Sequence, residues 1–218
     1  MARNDEWTAG WTAEKLHGHS EVLSTEPITG NALKIKTKKS KGLILIATLS
    51  VDTVRKDDFA EVYLSKDVVF AMNVPKNAVY YKSAIRFAEN KSFGIGGLSD
   101  LFAALNGNSY RQYLSKETRF VLRGLEQHTK VSSVNRITNR LYEVSRHGLE
   151  PIRILALNEY DLTADAVRSG IENHGKCSII LTSNPNCRPS DESIRAADSA
   201  GAKVLKWGEM LGALNYAK

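Results

Sequence analysis

Two stretches of this chain, 109 residues apart, carry the same apolar stripe. Leu98, Leu101, Phe102 and Leu105 have the i, i+3, i+4, i+7 spacing of one helix face, and Trp207, Met210, Leu211 and Leu214 repeat it. At the same offset Ile85, Arg86 and Ala88 match Ile194, Arg195 and Ala197, and Ala47 matches Ala156. The apolar run Val68–Met72 corresponds to Ile179–Ser183 with a slip of two residues. Each copy reads as strand, helix, strand, helix, strand, helix. The strands of the first are expected over Leu43–Leu49, Val68–Met72 and Phe93–Gly96, those of the second over Ile152–Leu157, Ser178–Ser183 and Lys203–Lys206. Thr163 and Ser190 suit helix N-caps, and Gly175 and Gly201 suit helix ends. Near-continuous apolar strands alternating with helices imply a parallel sheet covered on both faces. The expected fold class is α/β, with two similar Rossmann-like βαβαβα units and an inserted helix plus β-hairpin.

The expected organisation has four parts: a segment 1–41 ending in a basic strand, a first repeat 42–109, a basic helix–hairpin insert 110–151, and a second repeat 152–218. In the first part Trp7 and Trp11 are expected to pack on the body, and Thr12 to cap a short helix towards Leu23. Over Ala32–Lys38, Leu33, Ile35 and Thr37 alternate with Lys34, Lys36 and Lys38, the period of a half-exposed strand. In the insert, Ser115 caps a helix carrying Leu114, Val121, Leu122 and Leu125. Strands over Val131–Ile137 and Leu141–Arg146 follow, with Asn139 in the turn.

Charge separates the repeats from the rest. The chain has 30 Lys and Arg against 24 Asp and Glu, a formal +6. Lys34, Lys36, Lys38, Lys39 and Lys41 stand without an acid between them, a local +5. Residues 110–153 hold nine basic and four acidic side chains, again +5, so the remainder is −4. Clustered cations gain affinity for phosphate polymers by releasing condensed counterions. Arg111, Arg119, Arg123, Arg136, Arg140 and Arg146 suit bidentate phosphate contacts. DNA or RNA is therefore the expected partner, through these arginines with Lys34, Lys36 and Lys38. The same charge also serves simply to keep a protein soluble.

Ligands of open parallel sheets gather beyond the carboxyl ends of the strands. The loops there offer Asn73, Lys76 and Asn77 in the first copy, Asn158, Glu159 and Asp161 in the second, and Asn184, Asn186 and Arg188 in its partner loop. Asn-Pro and Pro-Lys-Asn are also ordinary turn chemistry. A small-ligand or nucleotide sensor would use these loops. Gly94-Ile-Gly-Gly97 lacks the third glycine of a dinucleotide fingerprint, and tight packing explains it better. There is no phosphate loop, no Gly-x-Ser-x-Gly elbow and no zinc spacing among the five histidines and two cysteines. His17 and His19 read as surface residues. Cys177 and Cys187 are too few for a disulfide framework. No apolar run reaches membrane-spanning length, and the N-terminus has no secretory pattern. A cytoplasmic protein is expected, and the sequence is compatible with a homo-oligomer.

The stretch from Ser115 onward has the order helix, two hairpin strands, third strand, helix, strand. Its tail runs Thr182-Ser-Asn-Pro-Asn-Cys-Arg-Pro-Ser-Asp-Glu-Ser-Ile-Arg-Ala-Ala, then Gly201-Ala-Lys-Val-Leu-Lys-Trp-Gly-Glu-Met-Leu-Gly-Ala-Leu. It resembles the restriction-endonuclease-like superfamily, and its closing segment is similar to that of Mrr-type members. The resemblance implies an αβββαβ core and, for active members, an acid on one strand and Glu-x-Lys on the next, holding Mg²⁺ and activating water. Glu143 would be the first acid and Glu159 or Asp161 the second. Asn158-Glu-Tyr-Asp161 carries no lysine at the required place. A metal-dependent DNA nuclease with an altered site, a related fold without cleavage, and a likeness of topology alone all remain open, the last two being favoured.

Overall fold

The computed structural model describes residues 5–28, 30–40, 42–59 and 67–217. Lys41, one of the five clustered lysines, lies outside the described residues. The chain divides into two compact units, Met1–Ser115 and Lys116–Lys218.

The first unit begins with α1 (Asp5–Leu16), then β1 (Val22–Ile28), β2 (Ala32–Thr37) and β3 (Leu43–Leu49). Next come β4 (Thr53–Val54), β5 (Val68–Asn73), β6 (Val79–Tyr80), α2 (Lys82–Lys91), β7 (Gly94–Gly96) and α3 (Leu98–Gly107). The main sheet runs β1-β2-β3-β5-β7. β1, β2 and β3 are antiparallel neighbours, and β3, β5 and β7 are parallel. The purely parallel sheet expected from the apolar runs is thus corrected to a mixed one. Short links such as the one around Gly30, which has φ +84°, can join only antiparallel strands, whereas parallel ones need a crossover. The period of two in β2 is realised: Leu33, Ile35 and Thr37 are buried, Lys34 is half-buried, and Lys36 and Lys38 are exposed.

One face of this sheet packs Leu33, Ile46, Phe70 and Met72 against Leu16 of α1 and Leu101 and Leu105 of α3. The other packs Ala47, Val68 and Ala71 against Ala84, Ile85 and Ala88 of α2. Thr12 caps nothing. It is buried inside α1 and donates to the Thr8 carbonyl at 2.7 Å, so the helix starts earlier than its hydroxyl suggested. Trp7 is half exposed and packs on Trp11 with centroids 6.2 Å apart.

The second unit comprises α4 (Lys116–Glu126), β8 (Val131–Arg136), β9 (Leu141–Arg146), β10 (Leu149–Leu157) and β11 (Asp161–Leu162). Then follow α5 (Ala164–His174), β12 (Ile179–Thr182), β13 (Arg188–Pro189), α6 (Asp191–Ser199), β14 (Lys203–Leu205) and α7 (Trp207–Ala213). The sheet order is β14-β12-β10-β9-β8, with β8, β9 and β10 antiparallel and β10, β12 and β14 parallel. The helix and hairpin read from sequence as an insert are the opening elements of this sheet, not an addition to it. Val121 and Leu125 of α4 and Met210 and Leu214 flank one face, on Tyr142, Val144 and Ile154. Val167 of α5 and Ala197 of α6 flank the other, on Leu155, Leu157 and Ile180. Thr163 and Ser190 cap α5 and α6, their side chains accepting from Ala166 N and Ser193 N. Among the described residues no helix is long and apolar enough to cross a membrane.

Candidate nucleic-acid interface

α4 has two contrasting sides. Glu117, Val121 and Leu125 follow one another at i+4 on the inner side. Lys116, Arg119, Phe120, Arg123 and Gln127 are exposed on the other. Among the described residues the guanidinium of Arg123 and the ammonium of Lys116 have no hydrogen-bond or ion-pair partner. Phe120 is 53% exposed, and its ring centroid lies 4.6 Å from that of Trp207, with the planes 43° apart. The indole rests on Gly124: a Cβ there would sit 2.2 Å from Trp207 Cζ2. A glycine inside a helix costs about 1 kcal/mol relative to alanine, so α4 gives up stability to seat that ring.

The orientation of α4 is set by a polar cluster that sequence reading missed. Glu117 lies in the first turn, over the carboxyl ends of β10 and β12. Ser183 Oγ donates to Glu117 Oε1 at 2.5 Å, and Asn158 Nδ2 donates to Glu117 Oε2 at 3.2 Å. Arg140 Nη1 stands 3.8 Å from Oε1 and donates to the Ala156 carbonyl at 3.4 Å. The carboxylate is thereby consumed in tying the helix start to two strand ends. Burial pushes the Tyr142 phenol beside it upward, keeping it neutral. The only sequence signal for the cluster was the run of polar residues directly after two apolar strands.

The expected site residues scatter by role. Arg119 and Arg123 are exposed on α4. Arg111 belongs to the first unit and donates to the Ser92 carbonyl at 3.2 Å. Arg136 is half-buried at the end of β8, and Arg140 is engaged as above. Arg146 is corrected outright: only 6% exposed, it donates to the carbonyls of Glu150, Leu214 and Tyr216 at 2.7–3.3 Å and secures the end of α7. Asn73 is likewise internal, bonded through both side-chain ends to the Val51 backbone. Lys76 and Asn77 lie exposed in their turn. Asn184 accepts from the Asn186 amide at 2.9 Å in a local turn, and Arg188 lies 5.3 Å over the Tyr160 ring. Turn chemistry accounts for the Asn184–Asn186 loop.

The acids assigned to metal do not converge. Glu143 on β9 is cross-strand partner to Arg153 on β10, with Oε2 3.0 Å from both Nε and Nη2. Glu159 lies exposed in the loop beyond β10, and Asp161 is exposed at the start of β11, paired with Arg188 of β13. Among the described residues no group of three His, Cys, Asp or Glu side chains is placed to hold a metal ion.

His174, at the end of α5, adds a pH-sensitive contact. Thr138 Oγ1 accepts from the amides of Leu141 and Arg140, which turns its own proton onto His174 Nδ1 at 2.8 Å. The ring must be neutral to accept. Burial, then the Arg140 charge, lower its pKa from 6.5 to about 4. A depressed histidine stabilises the fold above its unfolded pKa and loses that contribution as pH falls. The urea midpoint of the second unit is expected to drop between pH 6.5 and about 4. His174→Gln should flatten that drop, and an identical pH profile in the variant would contradict the assignment. Comparison of the chain with protein-family models, with curated proteins and with solved structures gives no match.

Proposed function

We propose that this chain is a nucleic-acid-binding protein of restriction-endonuclease-like topology, in which Lys116, Arg119 and Arg123 on the outer face of α4 contact the phosphate backbone. The observation that carries the reading is that these cations share one exposed helix face while Glu117 is occupied inward, and the other acid of α4, the exposed Glu126, stands at its last residue. Exposed cations on a rigid element are what a polyanion rewards, because each phosphate neutralised releases a condensed counterion. Lys36 and Lys38 form a second basic strip on the first unit.

We further read the two units as copies of one module. Corresponding hydrogen bonds recur at a near-constant offset. Val74 N to Leu49 O is matched by Ser183 N to Leu157 O, Val79 N to Asp52 O by Arg188 N to Tyr160 O, and Tyr81 N to Val54 O by Ser190 N to Leu162 O. The Gly97 amide bonds Asp100 as the Lys206 amide bonds Glu209. The short parallel pairs β4–β6 and β11–β13 also correspond. Within this scheme Glu117 replaces Thr8, Arg140 replaces Asn31 and Ser183 replaces Val74, so only the second copy carries the clamp beneath α4.

The test is a salt titration of binding to an oligonucleotide duplex and single strand. Three phosphate contacts give a slope of log affinity on log salt of about −3. Arg119→Glu with Arg123→Glu should lower affinity at least about tenfold and flatten the slope by about 2. Undiminished binding by that double variant, or a slope of zero in the parent, would sink the reading.

A further inference from the structure

We propose that the Phe120–Trp207 pair is a stacking platform for an unpaired nucleic-acid base, so that the second unit prefers single-stranded or frayed segments to continuous duplex. The inference rests on the phosphate-binding reading and specifies its substrate class. Trp207 opens α7, and its indole lies against α4 at Gly124, where an added Cβ would displace it. Phe120, one turn earlier on α4, meets that indole at 4.6 Å and stays 53% exposed. The hollow beside the two rings is walled by Arg123, Gln127, His128 and Leu211. An apolar ring pair held rigidly on the same helix face as Lys116, Arg119 and Arg123 matches the two halves of a nucleotide. The rings take the π-face of a base, and the cations take the phosphates on either side.

A continuous duplex cannot use this platform, because its bases are stacked on one another and present only their edges. A single strand can, and the preference should be tolerant of sequence because every base has a π-face. Arg123 lines the hollow itself, and that positive charge beside the rings favours a polyanion as the occupant.

The experiment measures fluorescence anisotropy of the full chain with a labelled oligothymidylate of about 16 nucleotides and with a duplex of the same length. In the parent the single strand should bind more tightly. Phe120→Ala, at an exposed position that leaves the core intact, should weaken oligothymidylate binding about 5- to 100-fold and leave the duplex unchanged. Phe120→Tyr should retain single-strand affinity. Gly124→Ala should reproduce the loss by pushing the indole off its seat, without weakening α4. If Phe120→Ala leaves oligothymidylate binding intact, or weakens strand and duplex equally, the platform is refuted while phosphate binding stands. If the parent binds neither, both readings fall together. Self-association of the parent in sedimentation, abolished by Phe120→Ala with nucleic-acid affinities unaltered, would identify the rings as a contact between copies and overturn the proposal.

Discussion

Gly94→Ala is expected to destabilise the first unit by about 3 kcal/mol. A Cβ at Gly94 would lie 2.3 Å from the Tyr110 carbonyl oxygen, 2.7 Å from Phe70 Cδ2 and 2.8 Å from Tyr113 Cβ. The first of these is backbone and the last is anchored to it, so neither can swing aside. Gly94 pairs directly with Phe70 across β7 and β5, so relief would require parting the strands. Urea unfolding should show the midpoint of the first unit lowered. Gly10→Ala is the matched control. Gly10 is exposed within α1 with nothing near its Cβ position, and that substitution should stabilise the same unit by about 1 kcal/mol. Equal effects of the two changes would mean that the packing around Gly94 is not what β7 depends on.

Arg146→Ala should cost the second unit a similar amount, about 3 kcal/mol, for a different reason. The guanidinium is buried and satisfies the carbonyls of Glu150, Leu214 and Tyr216. Removing it strands acceptors around the end of α7 in a place with little access to water. Arg146→Lys should recover only part of the loss, since one ammonium cannot reproduce a planar fork reaching two chain segments. Nucleic-acid affinity, measured well below the unfolding midpoint, should not change in either variant. A fall in affinity with unaltered stability would restore Arg146 to the contact surface.

The arginines show why the binding face was only partly legible. All six were equivalent as sequence: basic, clustered and flanked by apolar residues. Their separation came from alternation and register. On β9, Tyr142, Val144 and Arg146 share the inward face, so Arg146 points under α7 rather than to solvent. Arg119 and Arg123 lie a turn apart on a helix whose apolar positions 121 and 125 turn them outward. The helical period in the sequence was enough to place the second pair. It was not enough to place the first, because the neighbour that buries it is more than sixty residues away. Glu143 failed as a metal ligand for the same reason: its partner Arg153 is set by the β9–β10 register.

The strands read from apolar runs agree well with the structure. The expected Leu43–Leu49 and Leu141–Arg146 match β3 and β9, and Val68–Met72 falls one residue short of β5. What failed was the division between repeat and insert. β1, β2, β8 and β9 carry polar residues along their length, whereas β3, β5, β12 and residues 154–157 of β10 are nearly all apolar. Judged by composition, the hairpins looked foreign to the sheets they belong to.

Residue order alone was enough to locate the apolar strands and amphipathic helices, and to show that cations collect on the segments between the most apolar runs. Local periodicity carries that information, because burial on one side imposes a period of two or of 3.6 on neighbouring residues. Three-dimensional packing selects which cations face outward, clamps Glu117 between Ser183 and Asn158, and brings Phe120 and Trp207 together over Gly124. Those outcomes depend on pairings between residues 41 to more than 80 positions apart, and nothing in the local pattern encodes which distant side chain will fill a given gap.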